Sequence, residues 1–137
     1  MQTVPYLTFG GTCREAFQFY ASVLGGTPEI MSHAESPMAD QVPADWADRV
    51  MHAYLAADGA VLMGSDMPPG ESAGGNAVWV SLHVASPHDA DRVFAALAEG
   101  GTVSMPIAET FWSPRFGMLT DRFGISWMVN CAPPTGA

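Results

Sequence analysis

The chain has 137 residues, of which 48% are hydrophobic and 14% charged, and its formal net charge is −9. This composition predicts a globular protein with a real core and argues against disorder. Five Lys and Arg residues are too few for a phosphate-binding surface, so no nucleic-acid partner is expected, and the acidity and the lack of a ~18-residue apolar run argue against a membrane.

A strand and a helix are predicted first along the chain. Residues 3–9 indicate the strand, with Pro5 at its start or on a sheet edge. Thr12 is expected to cap the helix, with Glu15 as its partner in a capping box. Ala16, Phe19, Tyr20 and Val23 then recur at the spacing of one buried helix face.

Three extended segments follow, at about 27–33, 50–57 and 60–66. The stretch 34–49 contains two prolines and four acidic residues, which predicts an irregular loop of the kind that often forms a lid or rim. Residues 67–76 are rich in Gly and Pro and predict a linker.

The second half repeats this plan about 74 residues later. Ser86 is expected to cap a second helix, with Pro87 as its first helical residue. Its extended segments are expected at about 102–107, 115–120 and 124–130. Each half is therefore β-α-β-β-β, which predicts the α+β fold class.

A repeat of this length is too long for a solenoid unit and too short for two ordinary domains. We therefore predict a single domain over residues 1–137, built from the half-repeats 1–66 and 77–131 around a shared cleft. The tail, 133–137, is expected to fray.

The N-terminus and the cysteines indicate a cytoplasmic protein. Residues 1–6 lack the segments of a signal peptide, and Cys13 and Cys131 lie outside any C-x-x-C pattern. A reduced pair is therefore favoured over a disulfide. Cys13 would lie in the first turn of a helix, where a thiol pKa can fall, so it is a weak candidate nucleophile.

Several motifs carry a family resemblance. They are Phe-Tyr and Val-Leu-Gly-Gly at 19–20 and 23–26, Met-His-Ala at 51–53, Val-Leu-Met-Gly-Ser-Asp at 61–66, and the runs 109–118 and 121–130. With the paired β-α-β-β-β halves, they resemble the vicinal oxygen chelate superfamily, which includes glyoxalase I, extradiol dioxygenases and bleomycin-resistance proteins. The likeness is greatest to its PhnB-like branch, also called 3-demethylubiquinone methyltransferase-like. Nothing in the chain resembles the glycine-rich loop and long parallel sheet of the common methyltransferase fold.

This resemblance implies mixed or antiparallel sheets that form cups around a shared cavity, and a homodimer. Metal-using members place ligands on the first and last strands of each half, and the motifs put those positions on Pro5, Met63, Trp79 and Met128. Proline and tryptophan offer no ligating lone pair, and thioethers suit only soft ions. We therefore expect neither a metal ion nor a cofactor.

Alternation along the strands then predicts the lining of the cavity, because residues two apart share a face. A mostly apolar and aromatic set with a few polar groups is typical of a small-molecule pocket, although a filled core would have the same composition. The candidate ligand-binding residues are Phe9, Met63, Ser65, Trp79, Ser81, His83, Trp112, Arg115, Met128 and Asn130.

The candidate catalytic residues are His52, His83 and Glu109. Glu109 and Arg115 frame an aromatic pair and could orient a polar ligand, or they could form a surface ion pair.

Three functions remain open. The first is metal-free binding of a small apolar or aromatic molecule. The second is an enzyme of the lyase, isomerase or dioxygenase type, with a relocated metal site at His52, His83 and Glu109 or with metal-free acid–base chemistry. The third is an interaction homodimer whose cups are filled.

Overall fold

The computed structural model describes residues 1–71 and 77–131, so part of the predicted linker 67–76 and all of the predicted tail 133–137 lie outside the described residues. The chain divides into two compact units, Met1–Gly74 and Gly75–Ala137. Each contains one open four-stranded mixed sheet and one α-helix. The predicted fold class and the β-α-β-β-β order are therefore confirmed, whereas the single domain stays a prediction.

The first unit has the strand order β1-β4-β3-β2. β1 runs parallel to β4, and the other neighbours are antiparallel. Two short 3-10 turns, Ala39–Gln41 and Ala44–Trp46, lie in the loop before β3. The elements are β1 (Tyr6–Phe9), α1 (Cys13–Leu24), β2 (Glu29–Ser32), β3 (Val50–Ala57) and β4 (Ala60–Asp66).

The second unit repeats this topology with the order β5-β8-β7-β6. β5 is parallel to β8, and the remaining pairs are antiparallel. No helix within residues 1–71 and 77–131 is long and apolar enough to cross a membrane. The elements are β5 (Val80–Val84), α2 (Pro87–Ala98), β6 (Thr102–Ala108), β7 (Phe116–Thr120) and β8 (Ser126–Cys131).

In both units the helix covers one face of the sheet, where a phenylalanine ring packs against a strand glycine. A Cβ atom on Gly64 would lie 2.7 Å from Cε1 of Phe17 in α1, and one on Gly117 would lie 2.6 Å from Cε2 of Phe94 in α2. Phe17 is fully buried, whereas the predicted stripe residue Phe19 is only half-buried. We call the opposite side of each sheet its helix-free face.

The two helices begin differently. Asp89 donates its backbone N–H to Ser86 Oγ at 3.1 Å, so the predicted cap of α2 is confirmed. The predicted capping box of α1 is wrong, because the Thr12 side chain makes no capping hydrogen bond. Oδ1 of Asp66, at the end of β4, instead accepts from the backbone N–H groups of Gly11 and Cys13, each at 3.0 Å.

Candidate functional site

A row of large side chains crosses the helix-free face of the first unit. The strand register aligns Tyr6 with Met63, Met63 with Tyr54, and Tyr54 with Glu29. Neighbouring strands lie about 4.8 Å apart, so these side chains are adjacent across all four strands.

Tyr6 and His52 form a hydrogen-bonded pair beside this row. Tyr6 Oη lies 3.3 Å from His52 Nδ1, and the two ring centroids are 5.9 Å apart. Tyr6 is 50% exposed, and His52 is only partly buried. The polar atoms of the pair are therefore open to a ligand that enters from this face.

An open groove of about 380 Å³ lies along β2 and β3, next to the Tyr6–His52 pair. Met31 pairs with His52 across the two strands and is 40% exposed. The wall is largely apolar and includes one carboxylate. The groove is lined by Glu29, Ile30, Met31, His52 and Tyr54.

The helix-free face of the second unit carries methionines and small polar groups. Ser81 pairs with Met128 and His83 with Asn130, so the prediction that these four residues share a face is confirmed. His83 Nε2 lies 3.1 Å from Ser81 Oγ. The buried Oδ1 of Asn130 has no hydrogen-bond partner within residues 1–71 and 77–131.

The predicted orientation of the first strand was wrong. Tyr6, not Pro5, pairs with Met63, and Leu7 and Phe9 therefore point towards α1. Phe9 is 1% exposed and packs edge-on against Phe17, with ring centroids 6.2 Å apart.

Two other candidate ligand-binding residues, Ser65 and Trp79, can be located relative to the sheets. Ser65 shares the helix-free face with Met63, as predicted, because both alternate with buried Leu62 and Gly64. In the second unit, Ser81 pairs with Met128, and Trp79 lies just outside β5, which begins at Val80.

The loop after β6 holds the aromatic group predicted from the sequence. Phe111 is 97% and Trp112 46% exposed, and the Trp112 ring contacts Phe116 with centroids 5.4 Å apart. Of the two alternatives for Glu109 and Arg115, the surface ion pair is not formed. Arg115 Nε and Nη2 instead donate to Asp91 Oδ1, both at 2.9 Å.

This loop also forms a second, smaller groove of about 270 Å³. It is lined by Glu109, Thr110, Phe111, Trp112, Ser113 and Pro114.

The described residues, 1–71 and 77–131, contain no group of three or more His, Cys, Asp or Glu side chains that could hold a metal ion. His83 lies on β5 and Glu109 directly follows β6, and these strands are the two edges of one sheet. Three strand spacings amount to about 14 Å. The structure therefore does not bring these two candidate ligands together.

Cys13 is not the nucleophile that its helix position suggested. The thiol is fully buried. Burial, and then the nearby Asp66 carboxylate, raise the pKa of Cys13 from 9.0 to about 12. Because the thiolate is the nucleophilic form, this thiol is unreactive near neutral pH. Cys13 and Cys131 are both buried and are not joined in a disulfide, as predicted.

Sequence reasoning missed four groove residues, Glu29, Ile30, Met31 and Tyr54. Tyr54 could have been found, because it stands two positions after His52 on the same strand and shares its face. Glu29 and Met31 lie on a different strand, and their placement depends on the register between β2 and β3.

The chain matches a known family along nearly all of its length. The family model described as 3-demethylubiquinone-9 3-methyltransferase matches residues 1–130. The chain belongs to this family. It is also similar to Protein YjdN of Escherichia coli (strain K12), with 33% identity over 141 residues that cover 95% of each protein.

Solved structures support the same relationship. The protein PA1353 from Pseudomonas aeruginosa is 51% identical with a TM-score of 0.86, over 96% of this chain and 97% of that chain. The putative 3-demethylubiquinone-9 3-methyltransferase, PhnB protein, from Bacillus cereus is 28% identical with a TM-score of 0.77, over 96% and 100%. The resemblance to the PhnB-like branch is therefore confirmed.

More distant proteins share the fold. A glyoxalase/bleomycin resistance protein/dioxygenase from Nocardioides has a TM-score of 0.54 at 22% identity, over 96% of this chain and 83% of that chain. At this identity the likeness shows the fold alone. The family name mentions methyl transfer, but each described sheet has one parallel and two antiparallel strand pairs, unlike the long parallel sheet of the common methyltransferase fold.

Proposed function

We propose that this protein binds a small apolar or aromatic molecule, without a metal ion, in the groove on the helix-free face of its first unit. The observation that carries the proposal is the groove itself. Its volume of about 380 Å³ lies within the ~300–1,000 Å³ typical of ligand pockets. This size suits a molecule with one or two rings.

The chemistry of the wall supports the same ligand class. Met31 offers a polarizable, adaptable side chain, and Tyr54 offers a ring for stacking. Met31 is 40% exposed and the neighbouring Tyr6 is 50% exposed, so apolar surface remains available for burial by a ligand. These features favour binding over the alternative in which the cup of this unit is filled.

The proposal is tested with N-phenyl-1-naphthylamine, a neutral fluorescent probe of apolar sites. We expect saturable fluorescence enhancement with one site per chain, and a rise in melting temperature by mass action. Met31→Trp should fill the groove and abolish the signal. Met38→Trp is the matched control, because Met38 is similarly exposed at 47% but lies outside the groove.

Binding that persists unchanged in Met31→Trp would remove the groove as the site, and a lack of any binding would refute the proposal. The cavity shared by the two halves, the homodimer and the cytoplasmic location stay predictions. Sedimentation of the purified protein tests the homodimer directly.

A further inference from the structure

We infer that the Tyr6–His52 pair makes this groove selective for neutral aromatic molecules that carry a hydrogen-bond acceptor, such as an aromatic ketone. The inference rests on the proposed function and names the chemical class of its ligand. The reason is that the pair has two donor protons but makes only one hydrogen bond between its members.

Tyr6 contributes one O–H proton and a neutral His52 contributes one N–H proton, but a single hydrogen bond joins them. If the imidazole proton is on Nε2, Tyr6 donates to Nδ1 and the Nε2–H remains available. If the proton is on Nδ1, it donates to Tyr6 Oη and the Tyr6 O–H remains available. One donor is therefore left over in either tautomer.

Within residues 1–71 and 77–131, the side chains of Tyr6 and His52 make no hydrogen bond besides the one that joins them, so this donor is available to a ligand. In the free protein it can bond to water, because both side chains are accessible from this face. A ligand that covers the pair displaces this water. An unpaired donor is more costly to bury than an unused oxygen lone pair, so a ligand with an acceptor oxygen is preferred over the equivalent hydrocarbon.

The sign of the ligand charge is set by the other groups of the groove. Glu29 lines the same wall as His52 and is exposed, and it pairs across the strands with Tyr54, two positions after His52 on β3. A carboxylate beside the donor repels an anionic ligand. The protein as a whole carries a formal net charge of −9, which adds to this repulsion. A neutral acceptor is therefore favoured over a carboxylate or a phosphate.

The experiment compares acetophenone with ethylbenzene, which have similar shapes but differ in the ketone oxygen. Dissociation constants are measured by NMR titration of the labelled protein. We expect acetophenone to bind about three- to ten-fold more tightly, the value of one neutral hydrogen bond. This preference should disappear in Tyr6→Phe/His52→Phe, which keeps two aromatic rings but removes every donor of the pair.

Two control variants sharpen the comparison. Tyr54→Phe removes a hydroxyl from the same groove and should keep the preference, so its loss in that variant would assign the donor to Tyr54 and overturn the inference. His88→Phe makes the same histidine change at an exposed position of α2, in the other unit, and should leave both affinities unchanged.

The outcomes separate this inference from the proposed function. Equal affinity of the wild-type protein for the two compounds would overturn the selectivity and leave the binding function standing. Failure of both compounds and of N-phenyl-1-naphthylamine to bind would refute the binding function, and the selectivity with it.

Discussion

The two helices of this protein show how similar sequence patterns reach different solutions. Thr12 and Ser86 both stand before a helix, with an acidic residue three positions later. Ser86 is extended, with φ −141° and ψ 156°, and its side chain caps α2. Thr12 has φ −108° and ψ 14°, which is not the extended conformation that an N-cap side chain requires.

The backbone N–H groups at the start of α1 instead donate to a residue that is distant along the chain. The Asp66 carboxylate lies 53 residues along the chain from Cys13, and it also accepts the backbone N–H of Val50 at 2.9 Å. One side chain thus joins the start of α1 and the start of β3 to the end of β4. A cap provided by tertiary structure can therefore replace a local one, but it makes the start of the helix depend on a single distant residue.

The largest effect should come from removing that residue. Asp66→Ala leaves three backbone donors without their acceptor, and we expect a loss of about 3 kcal/mol or more in the free energy of unfolding. Urea denaturation followed by circular dichroism measures it. Asp45→Ala, an exposed acidic residue of the loop before β3, is the control and should stay within about 0.5 kcal/mol of wild type. A similarly small loss for Asp66→Ala would mean that water or other groups replace the carboxylate.

The reactivity of Cys13 is the next test, because no thiol stands at the start of α2. With its pKa raised from 9.0 to about 12, Cys13 should react with iodoacetamide at pH 8 at least about a hundred-fold more slowly in the folded than in the unfolded chain. The rate is measured in a Cys131→Ala background, with and without urea.

The raised pKa of Cys13 fixes the direction in which its alkylation rate and the stability of the fold change with pH. Above pH 9.0 the rate in the unfolded chain should level off, whereas the folded rate should continue to rise towards pH 12. Because the folded chain holds this proton more tightly, its stability should be complete below pH 9.0 and fall as the pH rises towards 12. Equal native and unfolded rates would show that the thiol is accessible.

Enlarging the glycine beneath the helix phenylalanine should destabilise the two units to a similar extent. Gly64→Ala and Gly117→Ala each place a Cβ within 2.7 Å of a phenylalanine ring, and each should cost about 1–3 kcal/mol by overpacking. Thermal and urea unfolding measure the losses. Ser65→Ala, on the helix-free face, is the control. A neutral Gly64→Ala would indicate that Phe17 moves freely, contrary to its complete burial.

The smallest effects concern the two capping side chains themselves. Ser86→Ala should lower the free energy of unfolding by about 1 kcal/mol, because Asp89 N–H loses its acceptor. Thr12→Ala should change it by less than about 0.5 kcal/mol, since no capping bond is lost. Equal losses in paired urea titrations would remove the distinction between local and long-range capping.

Local signals predicted the elements well. The segments 50–57 and 60–66 coincide with β3 and β4, and Ser86-Pro87 predicted the start of α2. These features depend on residues within a few positions of one another, so short-range chemistry suffices. The family resemblance supported the same β-α-β-β-β order, because its motifs follow one another in that order along the chain.

The side chains of the candidate site in the first unit could not be placed from these local signals alone. In the second unit, alternation placed Ser81, His83, Met128 and Asn130 on one face as predicted. In the first unit, a one-residue difference in the register of β1 reversed the faces of Tyr6 and Phe9. A shift of one residue moves every side chain of a strand to the opposite face, so the error removed Tyr6 from the predicted site.

The sequence by itself therefore determined the repeat, the fold class and the cap of the second helix. Only the tertiary structure showed that Asp66 accepts hydrogen bonds at the start of α1, that the pKa of Cys13 is raised, and that Tyr6 and His52 pair beside the groove. Each of these depends on strands that are distant along the chain but adjacent in the sheet. Their register is set by packing of whole faces, which no local pattern of residues contains.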